Sequence, residues 1–83
     1  MPEIRSPYMG SHLVPRVGGL KTDNWVLFSK SQRAPLGSVH WFGRWRQYVF
    51  EPCDGSVFNA GCLESVRAFL AEAMTEWNAG RKK

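Results

Sequence analysis

The spacing of hydrophobic positions changes twice along this chain. Through residues 1–24 it keeps neither a period of two nor one of 3.6, and Pro2, Pro7, Pro15, Gly10, Gly18 and Gly19 break up the apolar positions. That pattern predicts a disordered or loosely draped N-terminal arm. From Trp25 onward, β-branched and aromatic residues gather in short runs, predicting strands over 25–30, 38–42 and 45–51, with 56–59 as a possible short fourth. Loops are expected over 32–37, punctuated by Pro35 and Gly37, and at 51–56, which hold Pro52 and Gly55. From residue 61 the period lengthens. Leu63, Val66, Phe69, Leu70, Ala73, Met74 and Trp77 recur at helical spacing. Asn59 or Gly61 can cap this helix, Glu64 suits its N-terminal dipole, and Gly80 suits its C-terminal stop.

The predicted class is therefore α+β: a three- to four-stranded antiparallel sheet packed on one C-terminal helix, with a flexible N-terminal arm. The chain divides into the arm (1–24), one sheet-plus-helix domain (25–80) and a basic tail (81–83). One helix covers one sheet face, which leaves the other for solvent or a partner.

The segment "HWFGRWRQYVF" (40–50) holds two Trp, two Phe, one Tyr, two Arg and one His. Gly43-Arg44 reads as a two-residue hairpin turn, because Gly in first place meets the positive φ of a type II′ turn. That turn pairs Phe42 with Trp45, Trp41 with Arg46, His40 with Gln47 and Val39 with Tyr48. Alternation then puts Val39, Trp41, Tyr48 and Phe50 on one face with Arg46, and His40, Phe42, Trp45, Gln47, Val49 and Glu51 on the other. The first set is the more apolar and is assigned to the helix, with Trp41 directed at Leu63, Val66 and Leu70. The second is expected to stay partly open, where Trp45 and Phe42 beside Arg44 and His40 suit base stacking and phosphate contact. The competing reading is that Trp45 and Phe42 cover the sheet beneath the N-terminal arm.

Composition adjusts this picture only slightly. The 83 residues, 13% of them aromatic, suit one small domain that relies on large rings for buried area. A formal net charge of +4 favours a nucleic acid, an acidic protein or an anionic surface as partner, although Arg81, Lys82 and Lys83 supply much of it. No apolar run reaches the length of a membrane span, and Pro2, Glu3 and Arg5 precede no signal-peptide core. Cys53 and Cys62 are too few for a zinc site and read as reduced thiols of a cytoplasmic protein.

Catalytic constellations are missing. His12 and His40 have no nucleophile at a telling spacing, Glu51 and Asp54 flank a turn, and no phosphate-binding glycine loop or metal-ligand cluster occurs. The chain is read as a non-enzyme without cofactor or metal.

Two resemblances add to this. "LGSVHWFGRWRQYVFEP" followed by "CLESVRAFL", within residues 36–70, resembles small orphan proteins encoded by bacteriophages, which transfers no activity but implies a host cytoplasm. A three-stranded sheet followed by a helix, with Trp-Arg in the strands, is more loosely similar to AP2-type domains and to the arm-binding domains of phage-type integrases. That likeness implies DNA binding through the sheet, with Arg44, Trp45 and Arg46 at matching strand positions. In the arm, residues 13–16 (Leu-Val-Pro-Arg) resemble an engineered thrombin site, which makes the arm a candidate tag remnant.

The expected function is a small nucleic-acid-binding module using Arg44, Trp45, Arg46, His40, Phe42, Gln47, Lys30 and Arg33. The alternative is a phage-type accessory factor that binds a host protein through the same Trp and Arg anchors. As a third possibility, an open edge at residues 25–29 would allow a weak homodimer in place of a monomer, unless the N-terminal arm covers that edge.

Overall fold

The computed structural model describes residues 2–16, 18 and 21–81. Four strands, β1 (Met9–Val14), β2 (Asn24–Ser29), β3 (Pro35–Phe42) and β4 (Gln47–Pro52), precede one helix, α1 (Ala60–Arg81). The strands form a single antiparallel sheet in chain order. The α+β class, the antiparallel sheet and the C-terminal helix are as expected.

The arm departs from expectation. Residues 9–14 form an edge strand paired along β2, from Met9 opposite Ser29 to Val14 opposite Asn24. Met9 is buried in the core. The residues before it run along α1: Ser65 Oγ donates to the Arg5 carbonyl at 3.2 Å, and Glu72 accepts from the Glu3 amide at 3.1 Å and from Arg5 at 2.9 Å. The prolines and glycines do prevent local periodicity, but long-range pairing supplies the order that local propensity lacks. It also makes β2 an interior strand, so the open edge expected at residues 25–29 does not exist. Leu13 and Val14 of the thrombin-like stretch are strand residues. Val17, Gly19 and Leu20 of the expected arm, and Lys82 and Lys83 of the basic tail, lie outside the described residues.

Elsewhere the boundaries move. β3 begins at Pro35, inside the expected loop, and residues 56–59 form no strand. A bulge between Leu27 and Phe28 sets Phe28 opposite Pro35, leaving Leu36 as the extra residue, packed against the core.

The hairpin turn is longer than predicted. Phe42 pairs with Gln47, Trp41 with Tyr48, His40 with Val49 and Val39 with Phe50. Gly43, Arg44, Trp45 and Arg46 form a four-residue turn, in which the Phe42 carbonyl accepts from the amides of Trp45 (3.2 Å) and Arg46 (2.9 Å). Each expected pairing is thus displaced by two residues. A displacement of two preserves the side-chain alternation, so Val39, Trp41, Tyr48 and Phe50 still share the helix face. Arg46 leaves that face, and Trp45 the strand position expected of it on the other, for the turn.

The core forms between this face and α1: Met9, Trp25, Leu27, Val39 and Tyr48 meet Val66, Phe69 and Ala73. Trp25 packs edge-on against both Tyr48 and Phe69, each at 5.4 Å. Trp41 does not meet Leu63. It packs on Trp77 at 4.8 Å, and Leu63 is 55% exposed. The reason is the direction of α1, which starts after β4 and returns along the sheet, so that Trp77 near its end, and not Leu63 near its start, reaches Trp41. Asn59 caps the start through its Oδ1, which accepts the Cys62 amide at 2.8 Å. The first turn carries no acidic residue; Glu64 lies beyond it and pairs with Arg67. The helix continues through Gly80 to Arg81 and does not stop at the glycine.

Candidate nucleic-acid interface

The face of the sheet away from α1 has no helix over it. Alternation assigns it Gly10, His12 and Val14 from β1, Val26 and Phe28 from β2, Ser38, His40 and Phe42 from β3, and Gln47, Val49 and Glu51 from β4. Most of these side chains are half-buried, as expected of a sheet packed only by its neighbours. Gly10 is buried because the Phe28 ring lies across it; a Cβ there would come within 2.4 Å of the ring. The face is largely apolar and bears one carboxylate, Glu51. His40 Nε2 lies 3.5 Å from Glu51 Oε1, a contact that becomes ionic when the imidazole is protonated.

The cationic residues sit at the ends of this face, in the turns. Arg44, Trp45 and Arg46 occupy the β3–β4 turn, and Trp45 is 65% exposed. Its ring meets Phe42 edge-on at 4.8 Å, which holds an aromatic pair at the sheet end between two arginines. Arg46 adopts φ +54°, a left-handed conformation uncommon for a side-chain-bearing residue. His40, Phe42 and Gln47 adjoin this turn on the open face, so six of the eight predicted residues come together.

Lys30 and Arg33 do not join them. They lie in the β2–β3 turn, at the other end of β3. Eight strand residues at ~3.3 Å each separate the two turns by about 26 Å. This second connection has five residues, 30–34, and within it Arg33 donates its amide to the Ser29 carbonyl at 2.8 Å with φ +53°. Tyr8, which sequence reasoning did not single out, stands beside it: the Lys30 amide donates to the Tyr8 carbonyl at 2.9 Å, and the Tyr8 ring is 71% exposed. Nothing in the local pattern marks Tyr8, because its position depends on β1 pairing with β2. Phe28, also not singled out, alternates with Leu27, which the structure buries.

The charge left available is concentrated at these turns. Arg5 pairs with Glu72, Arg16 with Asp23 at 2.6 Å, and Arg67 with Glu64 at 2.6 Å. Hydrogen bonding and charge from these carboxylates push the Arg16 and Arg67 guanidinium pKa values up, and Arg67 holds the Glu64 carboxyl below its ordinary range. Among the described residues, Lys21, Lys30, Arg33, Arg44 and Arg46 form no ion pair, and all but Lys21 lie in these two turns.

On the helix side, a cleft of about 360 Å³ opens among Trp25, Tyr48, Trp77, Arg16 and Asp23. None of the eight predicted residues lines it. The Asp23 amide donates to the Tyr48 hydroxyl at 3.2 Å, and burial raises the Tyr48 pKa. The Trp77 Nε1–H is buried without an acceptor among the described residues. Cys53 is exposed and Cys62 half-buried, both as free thiols. Among the described residues no three His, Cys, Asp or Glu side chains gather as metal ligands, and no helix is long and apolar enough to cross a membrane.

No family model and no solved structure matches this chain, and the likeness to AP2-type and integrase arm-binding domains gains no support. The chain is similar to an uncharacterized 9.3 kDa protein of Acholeplasma phage L2, with 28% identity over 58 residues that span 70% of this chain and 74% of the phage protein. That similarity agrees with the resemblance to phage-encoded orphan proteins and assigns no activity.

Proposed function

We propose that this protein is a small, non-enzymatic nucleic-acid-binding module that engages its ligand at the β3–β4 turn and the adjoining open sheet face. The observation that carries the reading is Trp45: a large exposed ring held between Arg44 and Arg46, neither of which pairs with a carboxylate among the described residues. An aromatic plane offers stacking to any base, and flanking guanidinium groups offer contacts to phosphate. Arg44 and Arg46 bind phosphate, Trp45 and Phe42 stack, and His40 and Gln47 lie along the path as hydrogen-bonding groups.

Titration of labelled single-stranded and duplex DNA and RNA at low and moderate salt tests it. Binding tighter than about 10⁻⁵ M at low salt, falling steeply as salt rises, is the expected result. Absence of binding at that level overturns the reading.

A second reading has its own observation. Val26, Phe28, Phe42 and Val49 leave the open face half-exposed, largely apolar and nearly free of charge, which suits a protein partner such as a host enzyme. Capture from host lysate after nuclease treatment separates the two. Stoichiometric recovery of one protein favours this second reading; loss of all bound material with the nucleic acid favours the first.

A further inference from the structure

We infer that a single strand of nucleic acid is held at two points, one at each end of β3, with the Tyr8–Lys30–Arg33 cluster as the second; the inference rests on the reading above. The two ends of the open face are built alike. At one end Phe42 and the exposed Trp45 stand with Arg44 and Arg46. At the other, Phe28 and the exposed Tyr8 stand with Lys30 and Arg33. In each, a phenylalanine of the open face stands shortly before a hairpin turn that carries an arginine at positive φ. In each, the cations have no carboxylate partner among the described residues. Between them the face carries Ser38, His40 and Val26, with Glu51 its one carboxylate, set against His40. A ligand running along β3 therefore meets ring and positive charge at each end, with little repulsion between.

The chemistry selects unpaired bases. Exposed rings such as Trp45 and Tyr8 gain from stacking only when base faces are free, and a duplex hides those faces. The spacing sets a length. About 26 Å corresponds to about eight nucleotides at the stacked rise of ~3.4 Å, and to fewer in a stretched strand. Once one end is bound, the other engages as an intramolecular step at high effective concentration.

The test uses fluorescein-labelled oligothymidylates of about 4, 8, 12 and 16 nucleotides, spanning the site sizes of single-strand binders. The full chain is compared with Tyr8→Ala, which alters no charge, and with Lys30→Gln/Arg33→Gly, in which glycine suits the φ of +53° at residue 33. Every chain gains affinity with length because a longer oligomer offers more registers. The wild-type gain from about 4 to about 12 nucleotides should exceed that of the double variant by at least about tenfold, while binding of the shortest oligomer changes about twofold or less. Tyr8→Ala should shift the long oligomers in the same direction, and a matched duplex should bind more weakly than the single strand. Equal length dependence in all three chains, or a duplex that binds as tightly as the single strand, overturns the two-point inference and leaves the proposed function intact. Absence of binding to every oligothymidylate overturns the two-point inference, and absence of binding to the duplex and to RNA as well overturns both.

Discussion

Arg33 and Arg46 occupy matching places in their hairpin turns: each donates its amide to the carbonyl four residues earlier, and each is left-handed, at φ +53° and +54°. Glycine or asparagine meets this conformation at lower cost, because a Cβ crowds the carbonyl. A bulky cation at both positions places positive charge at the two sheet ends at the expense of turn stability, a pattern of backbone strain that gathers at functional positions.

Arg46→Gly should therefore move stability and binding in opposite directions. Relief at positive φ should raise stability by about 1 kcal/mol, reduced somewhat by the greater freedom of glycine in the unfolded chain. Loss of the guanidinium should weaken oligonucleotide binding and lower its salt dependence by about one phosphate contact. Denaturant midpoints and salt-dependent titrations measure both. If stability falls, or if binding is unchanged, Arg46 has no functional role at the turn.

Trp41 and Trp45 separate core from surface. Trp41 packs against Trp77 and edge-on against Tyr48, closing the end of the core beneath the last turns of α1. Trp41→Ala should cost about 2–4 kcal/mol, somewhat below the loss of a fully buried ring. Trp45 contacts Phe42, borders a groove shared with Gln47, Leu70 and Met74, and is otherwise exposed. Trp45→Ala should cost about 1 kcal/mol or less in stability and about 1–3 kcal/mol in binding if a base stacks on it. A large stability loss with Trp45→Ala, without loss of binding, would make the turn structural.

The survival of this face assignment shows what was legible. Side chains alternate with a period of two, so Val39, Trp41, Tyr48 and Phe50 kept their face although the turn grew from two residues to four and the register moved by two. The longer turn was hidden because it depends on Arg46 at positive φ, which composition does not announce. β1 was hidden because Met9–Val14 is ordered by pairing with β2 across a connection, not by its own pattern. For that reason Tyr8 went unnoticed. Lys30 and Arg33 were recognised as cations, but their separation from Arg44 and Arg46 follows from the hairpin geometry, which puts successive turns at opposite ends of the sheet.

The glycines of the two sheet faces should differ in tolerance. A Cβ on Gly37 would lie 2.6 Å from the Glu51 carbonyl oxygen and equally close to the Phe50 ring, and the backbone of β4 cannot retreat without breaking its pairing. Gly37→Ala should cost about 2–3 kcal/mol. Gly10 faces only the Phe28 ring, whose far edge can swing away, so Gly10→Ala should cost about 1 kcal/mol. Thermal or denaturant unfolding of the two variants gives the order; a costlier Gly10→Ala would mean that Phe28 is fixed rather than able to move over the open face.

Acid should release the N-terminal segment from the helix. Glu72 accepts the Glu3 amide and, through its other oxygen, both Nε and Nη2 of Arg5. The Glu3 amide first, and the Arg5 guanidinium after it, hold the Glu72 carboxyl below its ordinary range. A carboxyl depressed in the folded chain adds stability that is present above its unfolded pKa, about 4.3, and is lost as pH falls through the folded value. Wild-type stability should then fall more steeply below about pH 4.3 than that of Glu72→Gln, which keeps an acceptor for the Glu3 amide but has no proton to gain. Glu64→Gln serves as the comparison. Its partner Arg67 is three residues away on the same helix, so protonation there leaves residues 2–8 attached. Denaturant midpoints across acid pH give the slopes, and amide exchange over residues 3–14 reports detachment. Parallel acid limbs for wild type and Glu72→Gln, with exchange rising no earlier in the N-terminal segment than in β3, would mean that the Glu72 contacts do not hold the segment in place.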